Sequence, residues 1–456
     1  MKLFRTLAFS LIAMSLMLAA CAPAATPTAA PAPAATQAPA ATEAATQAST
    51  GLTCAQPIKI GLITDLSGPL AIYGTMIPRS FMLGMEYATG AAGSAGQKFD
   101  FKQTQENDFK LDNCEIQVFV RDDASTPDTT TTVANELIDV EKVNILVGTV
   151  SSAATATLQG IALQNKIPLI VAPAAANDIT GSGFNEYTFR TSRNNYQDAM
   201  NECLALTKQY KTFVQIAPDY AFGRGSAAAF RDACTLDGGK FVADDIFAPT
   251  TTTDFTPYME QIAKSGAEAY IVTWAGSGFV SLVQAAKDQG VTGKMALGAT
   301  FIDNTLMPTF FANAVGTTAG ILYHYSAPKN PINDFLVAQD KARYGVMPDL
   351  FDADGMNAAL MAVAAIKKTK GDVNGDTLVK AMEGLSFDGP KGKIDIRAED
   401  HVAIQDMYIL KLANLTDPNA NFYTYVDTTR PEPPCLLPET LKSRCGSLPY
   451  GNLSGK

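Results

Sequence analysis

Residues 59–75 read Lys-Ile-Gly-Leu-Ile-Thr-Asp-Leu-Ser-Gly-Pro-Leu-Ala-Ile-Tyr-Gly-Thr. The apolar, β-branched run from Ile58 to Thr64 predicts a buried strand. Asp65, Ser67, Gly68 and Pro69 break it with turn residues. Gly74 and Thr75 open a helix in which Phe81, Met85 and Ala88 share one face. A polar loop therefore stands at the C-terminal end of a buried strand, which is where open parallel sheets bind ligands.

Before this stretch, residues 1–21 have the pattern of an export signal. Lys2 and Arg5 precede an apolar run, residues 7–18, that is too short to span a bilayer comfortably. Leu18-Ala19-Ala20-Cys21 resembles the bacterial lipobox and makes Cys21 the expected lipidated residue. The plainer reading is an ordinary secretory signal cut near Ala20. Residues 22–55 are expected to be a disordered tether. As far as Thr50 they are almost all Ala, Pro, Thr and Gln, with Glu43 the one charge. Fully extended, such a tether reaches about 90 Å.

The remaining chain, about 400 residues, is too long for one ordinary domain and suits two. The full sequence has 35 basic and 45 acidic residues, a net charge of −10. That balance excludes nucleic acid and adhesion to anionic lipid as expected roles. With Cys21 lipidated, six cysteines remain in an oxidising setting, enough for three disulfides. The most local pairings are Cys54–Cys114, Cys203–Cys234 and Cys435–Cys445, and other connectivities stay open.

Further along, strands are expected at 115–121, 144–147 and 167–172, alternating with helices at 129–143 and after Ser152. In the first of these helices Val133, Leu137 and Val140 share a face. The pattern restarts with a helix at 195–210, a strand at 212–217, a loop at 218–223 and a helix at 226–235. Strands follow at 241–247, 268–273 and 294–298, with helices at 255–265 and 279–289 between them, and a strong helix at 354–368. This βαβ order predicts an α/β fold of two similar lobes with parallel-rich sheets.

With those elements placed, the chain resembles the leucine/isoleucine/valine-binding family of periplasmic solute receptors over residues 57–427. The resemblance rests on residues 59–74, on Gly148-Thr-Val-Ser-Ser, on Asp219-Tyr-Ala-Phe-Gly-Arg, on Asp254-Phe-Thr-Pro-Tyr and on Ala353-Asp-Gly-Met-Asn-Ala. It implies two Rossmann-like lobes joined by three crossings, near 190–192, 323–329 and 400–406, with ligand held between them. The lobes would then be 56–191 with 328–400 and 192–327 with 401–430, followed by a tail at 431–456. It also implies a monomer that serves an ABC permease and its ATPases, without catalysis or cofactor. The solute implied is small and polar or amphipathic, a branched-chain amino acid or a related compound. The runner-up is a clamshell sensor that reports ligand to a membrane partner.

Carried over residue by residue, the resemblance makes Tyr73 and Phe222 aromatic walls. Ser152 becomes the carboxylate anchor, with Ser151 beside it, and Ala174 and Ala175 offer backbone contacts. Thr300 stands where amino-acid receptors place an acid against the ligand ammonium. A buried ammonium without an anion is costly, so an α-amino acid would need Asp303, Asp352 or Asp354 as substitute. Taken singly, the two serines read as helix caps and Tyr73, Phe222 and Trp274 as packing.

Other motifs point away from chemistry. Gly223-Arg-Gly225-Ser-Ala-Ala228 is a degenerate dinucleotide fingerprint without its third glycine. Asp372, Asn374, Asp376 and Glu383 miss calcium-loop spacing, and Asp376 reads as a helix cap. Two histidines, His324 and His401, and no Gly-x-Ser-x-Gly supply little for a triad or a zinc site. His324 reads as a hinge or surface residue.

Overall fold

The computed structural model describes residues 51–91, 106–276, 278–299 and 302–455. Cys21, the tether up to Thr50 and Thr300 lie outside the described residues.

The first sheet holds β1 (Ile58–Thr64), β2 (Glu106–Leu111), β3 (Cys114–Asp122), β4 (Ile145–Val147), β5 (Leu169–Val171) and β6 (Thr188–Arg190) in the order β2-β3-β1-β4-β5-β6. β2 pairs antiparallel with β3, and the other neighbours are parallel. The second sheet holds β7 (Thr212–Pro218), β8 (Lys240–Phe241), β9 (Ile246–Ala248), β10 (Ala269–Val272) and β11 (Ala296–Gly298), all parallel. In it β7 lies between β10 and the short pair β8 and β9. The remaining strands are β12 (Thr318–Ile321), β13 (Ser386–Gly389), β14 (Gly392–Ile396), β15 (Ala403–Ile404), β16 (Met407–Leu412) and β17 (Tyr423–Thr429). They form two small antiparallel sheets, β12-β16-β17 and β13-β14-β15.

β1 is wholly apolar except for Lys59 and Thr64 because both its faces are covered. Helix Met76–Thr89 packs on one face together with helix Asp352–Lys368. One large core unites this lobe. In the second lobe, two smaller cores lie on opposite faces of the sheet. These are the two Rossmann-like lobes of a type I periplasmic-binding clamshell. The chain leaves β6 for helix Asn195–Gln209 and returns before helix Pro331–Tyr344. It crosses once more between β15 and β16.

β1 is flanked by β3 and β4, and β7 by β9 and β10, so the loops leaving each central strand diverge at a switch point. The turn after β1 is held by two carboxylates. Asp65 accepts the N–H groups of Gly68 and Leu70, and Asp122 accepts those of Leu66 and Ala124. At Gly74 a Cβ would lie 1.7 Å from the carbonyl oxygen of Asp65. At Gly223 a Cβ would lie 1.9 Å from that of Pro218. Both glycines let a helix start tight against the strand end it follows. This accounts for Gly223 without a nucleotide.

Three disulfides join Cys54 to Cys114, Cys203 to Cys234 and Cys435 to Cys445. The second links helices Asn195–Gln209 and Ala221–Leu236, which pack side by side. The tail is folded: Cys435, Leu437 and Cys445 form a small core with Phe184 against it.

Several expected elements differ. The helix expected at 129–143 ends at Glu136 and continues as a π-helical turn, Leu137–Glu141. The wider turn rotates Val140 to the surface, 69% exposed, while Leu137 stays buried. The strand expected at 241–247 breaks into β8 and β9. The helix expected from Ser226 begins at Ala221, so Phe222 rides on its first turn. Asn374, not Asp376, caps helix Gly375–Met382 by accepting the N–H of Thr377 at 3.3 Å. Asp376 instead accepts the Tyr187 hydroxyl. His324 is in the crossing but buried, between Ser326 and the Ala420 carbonyl. Burial pushes its pKa down to about 4.

Candidate functional site

The C-terminal strand ends of both lobes face one cleft. Its inner part is a cavity of about 30 Å³ lined by Tyr73, Ser152, Ala174, Ala175, Phe222 and also Leu70, Val150, Pro173, Arg193, Tyr220, Ala275 and Phe351. The cavity thus gathers loops from β1, β4, β5, β7 and β10, Arg193 from the first crossing and Phe351 from the N-cap of helix Asp352–Lys368. Among the expected residues, Tyr73, Ser152, Ala174, Ala175 and Phe222 line it. Ser151 does not, and Thr300 lies outside the described residues.

The two serines have separate tasks. Ser151 is the N-cap of helix Ser152–Asn165 and accepts the N–H of Ala154 at 3.4 Å. Ser152, first residue of that helix, lies at the cavity wall and accepts the N–H of Ala176 at 3.2 Å. A hydroxyl oxygen that accepts from the backbone keeps its own hydrogen to donate. The first turn of helix Ala221–Leu236 brings Phe222 to the same space. Two helix N-termini therefore present positive dipole ends to the cavity.

Arg193 was missed in the sequence. It is 2% exposed, sits 5.0 Å over the Phe351 ring, pairs with Asp198 at 3.2 Å and donates to the Pro173 carbonyl at 2.6 Å. Arg190 supports it from behind. Arg190 donates to the carbonyls of Arg193 at 3.2 Å and Ala176 at 2.8 Å and to that of Ala174. These bonds fix the backbone at Ala174 and Ala175. The signal available was two arginines within four residues of a buried crossing.

Tyr73 stacks edge-on against Phe351 with centroids 5.3 Å apart. Its hydroxyl accepts the Gly276 N–H at 3.5 Å, so it reaches from one lobe to the other. Burial first, and then the nearby Asp303 charge, push its pKa up, so it is a neutral phenol at neutral pH.

No acidic side chain lines the inner cavity among the described residues. Asp352 pairs with Arg79. Asp303 caps the turn at Thr305 and Leu306. Asp354 is buried among Lys391, Arg193, Asp198 and Arg190. None of the three lines the inner cavity. Among the described residues no three His, Cys, Asp or Glu side chains group as a metal site, and no helix is long and apolar enough to cross a membrane.

A cleft between two doubly wound lobes, with helix N-termini and aromatic walls, defines a receptor for a small solute. The chain belongs to the periplasmic binding protein family, whose model matches residues 57–417. Membership sets an extracytoplasmic solute-binding protein that works with an ABC importer. It is 25% identical to Leu/Ile/Val-binding protein homolog 6 of Brucella melitensis, over 80% of this chain and 89% of that one. Among solved structures, it is similar to an ABC-type branched-chain amino acid transporter protein of Rhodopseudomonas palustris. That match has 34% identity and a TM-score of 0.65, covering 82% of this chain and 96% of the other. A second solute-binding protein of R. palustris, solved with 3,4-dihydroxybenzoic acid, is 25% identical with a TM-score of 0.68 over 82% and 96% of the two chains.

Proposed function

We propose that the protein captures a carboxylic acid with an apolar or aromatic body, rather than an α-amino acid, and hands it to the permease of an ABC importer. The observation that carries this reading is the make-up of the inner cavity: Arg193, the Ser152 hydroxyl and helix N-termini together with aromatic rings, and no carboxylate among the described residues. An α-ammonium enclosed there would lose its hydration with no anion to replace it. A carboxylate would meet charge-assisted donors. The similar R. palustris protein solved with 3,4-dihydroxybenzoic acid supports an acid of this class.

The proposal extends to the surroundings. The lobes run over 56–191 with 328–404 and over 192–327 with 405–430, the last bound lying beyond the expected 400 because β15 pairs with β14, and they close as a hinged monomer. Cys21 carries lipid, and residues 22–50 of the expected 22–55 segment tether the body to the membrane, since Cys54 is bonded into the body through Cys114. Labelled fatty acid should enter the wild-type protein and not Cys21→Ser; equal labelling would remove the anchor from the picture.

The test of the ligand class is a thermal-shift and calorimetric panel pairing benzoate and 3-phenylpropanoate with their amides and with leucine and phenylalanine. A true solute at a hundred times its dissociation constant adds about 2.7 kcal/mol to stability. Acids should stabilise and their amides should not. Stabilisation by leucine with no response to the acids would overturn the reading.

A further inference from the structure

The inner cavity is not the only space in the cleft. Beside it lies a second cavity of about 300 Å³, and the two share Leu70, Tyr220 and Ala275 as walls. The volumes differ tenfold, and that difference is informative. About 30 Å³ is one water molecule's share of liquid, whereas pockets that hold organic ligands begin at roughly 300 Å³. The outer space is part of the same cleft, since the loops after β1, β3, β4, β7, β9 and β10 all contribute to it.

Its walls have a definite chemistry. Trp274, Pro69 and Pro218 supply apolar surface, and Ser125, Ser151 and Thr250 supply hydroxyls. The walls are also fixed. Asp65 holds both the Leu70 N–H, at 2.9 Å, and the Ser125 hydroxyl, at 2.6 Å. Trp274 is braced edge-on by Phe255 at 4.8 Å. Gly278 leaves room for the indole, since a Cβ there would lie 2.4 Å from Trp274 Nε1.

We propose that the solute is an elongated acid that occupies both cavities. Its carboxylate lies at Ser152 and Arg193, and its body passes between Leu70, Tyr220 and Ala275. Its far end, an aryl or alkyl group with a terminal hydroxyl, rests on Trp274 within reach of the Ser125 and Thr250 hydroxyls. Aryl-alkanoic acids with a distal hydroxyl are the class this geometry takes. The inference rests on the acid-binding reading above and adds the length of the ligand to it.

The experiment is a calorimetric titration with benzoate, 3-phenylpropanoate, 3-(4-hydroxyphenyl)propanoate and 5-phenylpentanoate. Two extra buried methylenes are worth about tenfold in affinity, so 3-phenylpropanoate should bind about tenfold more tightly than benzoate. Ala153→Trp fills the outer cavity from an exposed helix position. In that variant the gain with length should vanish. Thr250→Phe, also at an exposed position, gives the same readout should Ala153→Trp fold poorly. Equal affinity for benzoate and the longer acids in wild type overturns the elongated ligand and leaves the acid-binding reading intact. A gain with length that survives both variants overturns the outer cavity as its cause. Failure of every acid to bind, benzoate included, overturns both readings together.

Discussion

Gly74 and Gly223 occupy corresponding places in the two lobes, each in the first helical segment after a central strand. Any side chain there would collide with a strand-end carbonyl. Gly223→Ala should therefore force the helix away from Pro218 and misplace Phe222. Overpacking of this kind costs roughly 1–3 kcal/mol, seen as a lower melting temperature, together with weaker ligand binding. An unchanged melting temperature would mean the turn has slack that the geometry does not show. Ser152 differs in kind, since its hydroxyl lies at the cavity wall. Ser152→Ala removes one hydrogen bond to a charged group, worth roughly 1.5–3 kcal/mol, so affinity should fall about ten- to a hundredfold. Folding without ligand should weaken as well, by roughly 1–3 kcal/mol, because Ser152→Ala also leaves the buried Ala176 N–H without its acceptor. Calorimetry on the variant separates the two effects, and retained affinity would show that Ser152 does not hold the carboxylate.

At the scale of elements, the disulfide between Cys203 and Cys234 pins helix Asn195–Gln209 to helix Ala221–Leu236. The first of these follows the crossing that carries Arg193, and the second carries Phe222. Replacing both cysteines with Ala frees a loop of about thirty residues in the unfolded chain, worth roughly 3–4 kcal/mol by loop entropy. The variant should unfold at clearly lower denaturant, and an unchanged midpoint would show that helix packing alone fixes the pair. The central elements were legible because both faces of their strands are covered: β1 reads as one apolar run, and its bounds match the structure residue for residue. Helix Pro331–Tyr344 was not legible. Half of its buried positions are polar, Asn333 and Asp340, so its apolar face is thin. Its start was written in Asn330-Pro331, a cap followed by proline. Helix Gly375–Met382 was legible through its cap, but the cap is Asn374 and not Asp376, because the helix opens on glycine. Val140 went astray because no periodicity announces a π turn. In the site, Tyr73, Ser152 and Phe222 could be placed by resemblance to relatives. Arg193 could not be read from pattern, because an arginine reads as a surface residue unless the Asp198 and carbonyl partners that bury it are known.

At the scale of the whole molecule, polar contacts join the lobes, and one of them is sensitive to pH. The N–H of Asn304, from the second lobe, donates to Asp349, from the first, at 2.7 Å. Arg79, Asp352 and Asp303 surround this carboxyl, with Arg79 paired to Asp352. Burial first, and then the Asp303 and Asp352 charges, push the Asp349 pKa up to about 7, against the hydrogen bonds from Asn304 and Leu350 that lower it. The folded protein thus holds a proton that the unfolded chain releases near pH 4. Stability from this group is full below about pH 4 and is lost as pH rises through 7. Asp354, raised to about 6, and Glu202, raised to about 8, act in the same direction, both through burial. His324, lowered to about 4, acts oppositely and only below its unfolded pKa near 6.5. Lys391, lowered to about 8 by burial, opposes them only toward pH 8. Between pH 6.5 and 7.5 the acids therefore govern, and the melting temperature should fall as pH rises. Asp349→Asn keeps an oxygen for Asn304 and abolishes the titration, so the fall should become shallower while the fold is retained. Melting curves of wild type and variant at pH 6.5, 7.0 and 7.5 read this directly. Parallel slopes in the two proteins would remove Asp349 from the account and assign the proton to Glu202 and Asp354.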